Sequence, residues 1–431
     1  MPAAPARDAP AEGAGASRPP LLSGALKDRA LHLAGTLAET LRPAPAAGRR
    51  DVSLASGSAG LAVCSGQLAR TRCDPRAADA ALTRLEEAVD VLATVPLTSS
   101  LYSGFTGIAW AAELLDGLLG TEGEDRNGDI DEALTRLLQR YPEDAPYDLI
   151  DGLTGLGVYA LARWPRPGAA QCVLGVVEQL ARRARPDRDG VSWRTPPSSR
   201  GPRRVWYRPG GVDLGVAHGM AGVIPFLARV HRLGLAQQTV RPLLDGAVRW
   251  LLAHMVDTAS GPTVPCFVAD GVEPGPARSA WCYGDPGVAA ALLLAARDAG
   301  EPAWAAAATG LAVRAAARPP GQTGVVDAGL CHGSAGLAHL FNRMYQMTAE
   351  PTLADAARFW VERTLELCSA EAPGRGATLT EAARPVWKGP GLLEGAAGVA
   401  LAMEAAGTTV EPIWDQMLLV STTGTAGGQA R

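Results

Sequence analysis

The stretch Leu330-Cys331-His332-Gly333-Ser334-Ala335-Gly336 places two metal-type ligands side by side, directly before a G-x-x-G step into an apolar run. An earlier stretch, Trp281-Cys282-Tyr283-Gly284-Asp285-Pro286-Gly287, has the same layout. Similar G-x-x-G steps recur along the chain, and we number the repeats that contain them as units 1 to 7. Because repeat units share one core, the pattern outweighs the roughly two or three domains that the length alone would suggest.

The spacing of the repeats is typical of stacked helical hairpins. The first glycines fall at positions 57, 104, 152, 219, 284, 333 and 395, which gives separations of 47, 48, 67, 65, 49 and 62 residues. An amphipathic segment precedes each step, as in an outer layer of helices, and a segment that is apolar nearly all round follows it. We therefore predict an all-α chain whose seven hairpins close into an α/α toroid of seven inner and seven outer helices, because closure hides the end repeats.

Composition places the ends of this toroid and one long loop. Residues 1–22 are rich in Ala, Pro and Gly without an apolar signal segment, and we predict a disordered lead-in. The toroid is expected over residues 23–420, followed by a disordered tail at 421–431. A long loop at 185–213 belongs to a basic stretch with nine Arg and two Asp between Arg182 and Arg208. This stretch is either a solvated loop or a docking surface for an acidic or extended peptide.

The overall composition excludes several classes of protein. The chain is 47% hydrophobic and 5% aromatic, which favours helix over sheet. A net charge of -4 gives no indication of a nucleic-acid partner or an anionic membrane. No run reaches the roughly 18 apolar residues that a membrane span needs. Seven Cys residues without a secretion signal favour reduced thiols, so we expect a cytoplasmic protein.

The residue directly before the first glycine is polar in every unit, although nearly half of the chain is hydrophobic. In order, these residues are Ser56, Ser103, Asp151, His218, Tyr283, His332 and Glu394. In a closed toroid their side chains converge at one end, beside the N-termini of the inner helices. We predict the functional site at this mouth.

Cys282, Cys331 and His332 are the candidate metal ligands. Three nitrogen or sulfur ligands with one open position are typical of catalytic zinc, whereas structural zinc sites are closed by four. Cys282 and Cys331 occupy the same position of consecutive units, which a toroid brings together. Nearby helix N-termini also favour the thiolate form that zinc requires. The alternative interpretation is simple burial of these side chains in the core.

His218 is the candidate general acid or base, because imidazole titrates near neutral pH. The alternative is a capping or packed histidine. Asp148 or Asp151 could orient His218 or move a proton, and spacing alone favours Asp151. Arg278 and Tyr283 lie close to Cys282 in sequence, and either could stabilise a developing oxyanion.

Three motifs resemble those of the lanthionine synthetase C-like family, which includes the stand-alone lanthipeptide cyclases of LanC type. They are Trp281-Cys282-Tyr283-Gly284-x-Pro286-Gly287, Cys331-His332-Gly333-x-x-Gly336 and Leu214-Gly215-x-Ala217-His218-Gly219. The resemblance covers about residues 25 to 420. It implies Zn²⁺ on Cys282, Cys331 and His332, proton transfer by His218 and Asp148, and support from Arg278 and Tyr283. The Tyr147-Asp148 pair, with Asp148 four residues before Gly152, fits the family pattern and favours Asp148 over Asp151.

The function that this resemblance implies is zinc-dependent lanthipeptide cyclisation. Such an enzyme adds Cys thiolates of a dehydrated precursor peptide, leader plus core, to dehydroalanine or dehydrobutyrine. The products are lanthionine and methyllanthionine thioether rings. A dehydratase and a transporter are possible partners in a complex. The Ala, Arg, Pro and Gly bias favours a bacterial biosynthetic role, as in lantibiotic production.

Three alternative functions stay open at this point. A LanC-like relative could add glutathione to dehydroamino acids through the same zinc site. A toroid glycoside hydrolase would instead use paired carboxylates, for which the candidates are Asp148, Asp151, Asp285 and Glu394. A non-catalytic scaffold of a peptide-modification complex would need neither set. Metal content separates the zinc hypotheses from the other two.

Overall fold

The computed structural model describes residues 20–41, 51–120, 125–196, 210–275, 277–370 and 386–422. Residues 1–19 of the expected lead-in, 423–431 of the expected tail and 197–209 of the basic stretch lie outside the described residues. The α-helices are α1 (Gly24–Thr40), α2 (Ser58–Arg72), α3 (Pro75–Leu92), α4 (Phe105–Leu119), α5 (Gly128–Gln139), α6 (Leu153–Ala162), α7 (Pro167–Arg183), α8 (Met220–Arg232), α9 (Gln237–Ala253), α10 (Asp285–Ala299), α11 (Pro302–Ala316), α12 (Ser334–Thr348), α13 (Pro351–Ala370) and α14 (Ala396–Gly407).

The even-numbered helices form a closed inner ring. Each packs against the next one along the chain, from α2 to α14, and α14 packs against α2. Every residue of α6 and α14 is buried, whereas the outer helix α5 buries only Asp131, Leu134 and Leu138. The predicted toroid with an apolar inner layer and an amphipathic outer layer is therefore confirmed. No helix among the described residues is long and apolar enough to cross a membrane.

The helical pairs follow the chain in a definite order. α2 packs against α3, and the pairs α6–α7, α8–α9, α10–α11 and α12–α13 repeat this arrangement. Two-residue turns such as Gly300–Glu301 join inner to outer helices, and short turns of this kind make antiparallel neighbours. The first outer helix, α1, packs instead against the last inner helix, α14. The two ends of the helical chain thus close the toroid.

Short strands occur in the two longest connections. β1 (Arg185–Asp187) pairs with β2 (Gly190–Ser192), and β4 (Val256–Thr258) pairs with β5 (Gly261–Thr263), both as antiparallel hairpins. β3 (Val212–Asp213) pairs with β6 (Phe267–Val268), with Val212 opposite Val268. Part of the predicted 185–213 loop is therefore sheet, because backbone groups held against the body of the protein need partners.

The glycines of the G-x-x-G steps are needed for space. A Cβ at Gly107 would overlap the carbonyl oxygen of Leu101 in its own loop and would come within 3.0 Å of the Leu54 Cβ in unit 1. Among the first glycines only Gly284 has a positive φ, of 91°, which a glycine adopts without strain. A Cβ there would also overlap the carbonyl oxygen of Arg278. Each mouth loop therefore folds tightly onto the start of its inner helix.

The chain after α14 fills the ring of inner helices, and we call residues 411–422 the C-terminal plug. Its 3₁₀ helix, Ile413–Leu418, contacts α2 and α6, and its Trp414 and Met417 are fully buried. Asp415 forms an ion pair with Arg343 of α12 (2.9 Å). The plug is therefore attached to several sides of the ring at once.

Replacing Gly107 by Ala tests the close approach of the mouth loops. We expect Gly107→Ala to destabilise the fold by about 1–3 kcal/mol, because the added methyl group overlaps the carbonyl oxygen of Leu101 and the backbone must shift to admit it. Thermal or denaturant unfolding measures the effect.

Gly310 of α11 supplies the matched control. A Cβ there would meet only the end of the Arg314 side chain, at 3.4 Å. Gly310→Ala should therefore raise stability by about 0.5–1 kcal/mol, through helix propensity. Equal effects of the two changes would contradict the packing described above.

Candidate functional site

The mouth of the toroid is built from seven loops joined to one another by backbone hydrogen bonds. The N–H of Trp281 in unit 5 donates to the carbonyl oxygen of Cys331 in unit 6 (3.1 Å). The N–H of Cys331 donates in turn to the carbonyl oxygen of Leu393 in unit 7 (2.7 Å). The N–H of Ala217 in unit 4 donates to the carbonyl oxygen of Cys282 (3.4 Å). The cysteine-bearing loops are therefore fixed in register by their own backbones.

Cys282, Cys331 and His332 come together at this mouth. One ligand atom from each lies within 4.8 Å of the other two, so the cluster could hold a metal ion. Cys282 is buried, while Cys331 and His332 are partly exposed. Two thiols and an imidazole suit zinc, and three ligands leave one of its four positions open. The residues present thus fit a catalytic type of zinc site, as the sequence predicts.

Hydrogen bonds among the three side chains shift their pKa values. A hydrogen bond from the Cys331 thiol, opposed by burial, holds the pKa of Cys282 well below its ordinary value, and His332 and Arg278 act in the same direction. The same hydrogen bond and burial raise the pKa of Cys331. The bond to Cys282 also raises the pKa of His332. One thiolate is therefore favoured within the cluster, which is the form that binds metals.

Two carboxylates flank the imidazole of His332. Asp327 Oδ2 lies 3.5 Å from Nε2, and Glu394 Oε1 lies 3.8 Å from Nδ1. Lys388 pairs with Glu394 (2.7 Å) and so compensates its charge. Asp327, the nearer of the two carboxylates, therefore adds to the effect of the Cys282 hydrogen bond in raising the pKa of His332.

A second cluster contains His218, Asp148 and Asp151. Asp148 Oδ2 lies 3.1 Å from His218 Nδ1, and Asp148 Oδ1 accepts the backbone N–H of Asp151 (2.8 Å). Asp148 is only 1% exposed, whereas the side chain of Asp151 is at the surface. Polar atoms of all three lie within 4.8 Å of one another. Geometry therefore makes Asp148 the buried partner of His218 and leaves Asp151 nearer the solvent.

Tyr283 and Arg278 border the thiol cluster. The Tyr283 hydroxyl donates to Oδ2 of the buried Asp213 (2.8 Å). Arg278 lies close enough to Cys282 and Cys331 for its positive charge to favour their thiolates, after the larger effects named above. Both residues thus lie beside the thiol cluster, and their predicted part in stabilising an oxyanion stays a prediction.

Sequence reasoning missed a second repeated position, six residues before the first glycine. Asp51, Asp213 and Asp327 occupy it in units 1, 4 and 6, and Arg278 occupies it in unit 5. In each aspartate, Oδ1 accepts the N–H two residues ahead, at 2.9 Å. The other oxygen reaches a mouth residue, as in the bond from Ser56 to Asp51 (2.6 Å). The register of these aspartates with the first glycines is the signal that could have revealed them.

The fold and the site define a class: helical toroids with a cysteine–cysteine–histidine cluster and a histidine–aspartate pair at one mouth. The family model described as lanthionine synthetase C-like protein matches residues 48–419. The chain belongs to that family.

A solved structure is similar over nearly the whole chain. It is that of nisin cyclase, with a TM-score of 0.69 and 20% sequence identity, and the match covers 92% of this chain and 97% of that chain. At this identity the likeness establishes a shared toroid. A comparison with curated protein sequences gives no significant match.

Proposed function

We propose that this protein is a zinc-dependent lanthipeptide cyclase, which joins Cys side chains of a dehydrated precursor peptide to its dehydroalanine or dehydrobutyrine residues. The observation that carries the proposal is the meeting of two thiols and an imidazole within 4.8 Å at the mouth of the toroid. Membership of the lanthionine synthetase C-like family supports it, and the fold is that of a protein named as a cyclase.

Cys282, Cys331 and His332 would hold the zinc ion, with the open position left for the thiol of the peptide. Bound there, Zn²⁺ supplies a Lewis acid that lowers the pKa of that thiol, so that sulfur attacks as a thiolate. The hydrogen bonds between the mouth loops keep the two cysteine residues in place before metal and peptide arrive. Little rearrangement is then needed on binding.

The reaction forms one carbon–sulfur bond and neither adds nor removes atoms overall. The thiol gives its proton to the surrounding water, its sulfur bonds to the β-carbon of the dehydro residue, and the π electrons move towards the adjacent carbonyl. The resulting enolate takes a proton at the α-carbon, which sets the stereocentre. We assign this proton to Nε2 of His218, because Asp148 faces the other ring nitrogen and orients the imidazole.

Negative charge develops on the substrate carbonyl oxygen during the attack, and Arg278 is the group that we assign to it. Its guanidinium carries a permanent charge beside the thiol cluster. Tyr283 already donates its hydroxyl proton to Asp213, so we assign it to shaping the pocket beside Cys282. The dehydro residues are made beforehand by a dehydratase, which is the expected partner enzyme.

Removing a metal ligand tests the proposal directly. We expect Cys282→Ala and Cys331→Ala to lose bound zinc and ring formation together, because two remaining ligands hold the ion weakly. Elemental analysis measures zinc, and mass spectrometry after thiol alkylation counts the rings formed in a dehydrated peptide. Cys73→Ala is the control, because this cysteine is exposed on the α2–α3 turn. Rings formed at the normal rate without zinc would contradict the proposal.

Substitution within the second cluster tests the proton donor. His218→Asn should slow cyclisation by a factor of about 10²–10⁴ and leave zinc bound. Asp148→Asn should also slow it, because the amide no longer orients the imidazole by charge. Asp151→Asn removes the same charge from the exposed neighbour and should have the smaller effect. A larger effect at Asp151 than at Asp148 would reverse the assignment of the carboxylate.

A further inference from the structure

Trp281 touches both thiol-bearing loops. It directly precedes Cys282 in the chain, and its backbone N–H donates to the carbonyl oxygen of Cys331 (3.1 Å). Its side chain is only 1% exposed. One buried residue therefore links the Cys282 loop to the Cys331 loop.

The indole of Trp281 is attached to the C-terminal plug. Its Nε1–H donates to the carbonyl oxygen of Leu418 (2.9 Å), 137 residues further along the chain. Tyr102 of unit 2 packs against the indole, with ring centroids 6.1 Å apart, and its hydroxyl donates to the carbonyl oxygen of Met417 (2.6 Å). Two neighbouring carbonyl groups of the plug thus hold two aromatic residues beneath the mouth.

The C-terminal plug is itself attached to the inner helix α12 by buried contacts. Asp415 pairs with Arg343 (2.9 Å) and faces Nε2 of His339 (3.0 Å), and all three side chains are buried in the ring. The Trp414 ring lies against the His339 ring, with centroids 4.6 Å apart. The carbonyl groups of Met417 and Leu418 are therefore fixed relative to α12, the helix that begins directly after the Cys331 loop.

We propose that Trp281 is a positioning residue for the metal ligands, and that the C-terminal plug acts through it. The bond from the indole to Leu418 sets the depth of the Cys282 loop, while the backbone bond to Cys331 sets the distance between the two loops. Tyr102 supports the indole in the same way from unit 2. This inference rests on the proposed zinc site, and it assigns the plug a part in building that site.

The variant Trp281→Phe tests the proposal. Phenylalanine keeps a six-membered aromatic ring and lacks the five-membered ring that carries the Nε1–H donor. We expect its affinity for Zn²⁺ to fall about tenfold or more, as is usual when a group that supports metal ligands is removed. Competition with a chromophoric chelator measures the affinity. The absorption bands of the Co²⁺-loaded protein, which depend on ligand geometry, should shift as well.

Trp110→Phe is the matched control. Trp110 lies on α4, is completely buried, and its Nε1 makes no hydrogen bond within the described residues. The same substitution there should lower the melting temperature and leave zinc affinity and the Co²⁺ bands unchanged. A purely structural role of Trp281 would give the two variants the same behaviour.

Tyr102→Phe is the second test, because it removes one hydroxyl and keeps the ring in place. It should weaken zinc binding by a smaller factor than Trp281→Phe. Wild-type affinity in both folded variants would overturn the positioning role and leave the zinc site itself standing. A wild-type protein that binds no zinc would overturn both this inference and the proposed function, so the two failures are distinguishable.

Discussion

Closure of the inner ring between α14 and α2 is the contact on which the remaining structure depends. Each mouth loop is placed by its own inner helix and by backbone hydrogen bonds to the loops beside it. Small residues make these approaches possible, as at Gly107, where any side chain would meet the Leu101 carbonyl group. The candidate metal ligands come from consecutive units, so the packing of α10 on α12 and the backbone bond from Trp281 to Cys331 set the separation of Cys282 and Cys331 within the closed ring.

The mouth divides two kinds of chemistry between neighbouring parts of the ring. Units 5 and 6 supply two thiols and an imidazole, groups of the kind that bind metals, with a nearby guanidinium that favours thiolates. Units 3 and 4 supply a histidine held by the buried carboxylate of Asp148, an environment that suits proton transfer. A substrate lying across the mouth would meet the two groups in succession. The proposed addition of a thiolate followed by protonation needs this combination.

Much of this arrangement was predictable from the sequence, because the repeat fixes which residues share a position. The G-x-x-G register predicted the inner helices, the mouth and the meeting of Cys282 with Cys331. Other contacts join positions that no repeat relates. The indole of Trp281, for example, donates a hydrogen bond to the carbonyl oxygen of Leu418, 137 residues further along the chain and beyond the last repeat. The packing of α1 on α14 and the pairing of β3 with β6 likewise join segments that are far apart in the sequence and that no repeat relates.

Anomalous X-ray diffraction at the zinc absorption edge, from crystals grown with Zn²⁺, tests the central claim most directly. We expect one strong peak at about 2.3 Å from the Sγ atoms of Cys282 and Cys331 and about 2.0–2.1 Å from a ring nitrogen of His332. An empty cluster in crystals that hold zinc elsewhere would contradict it.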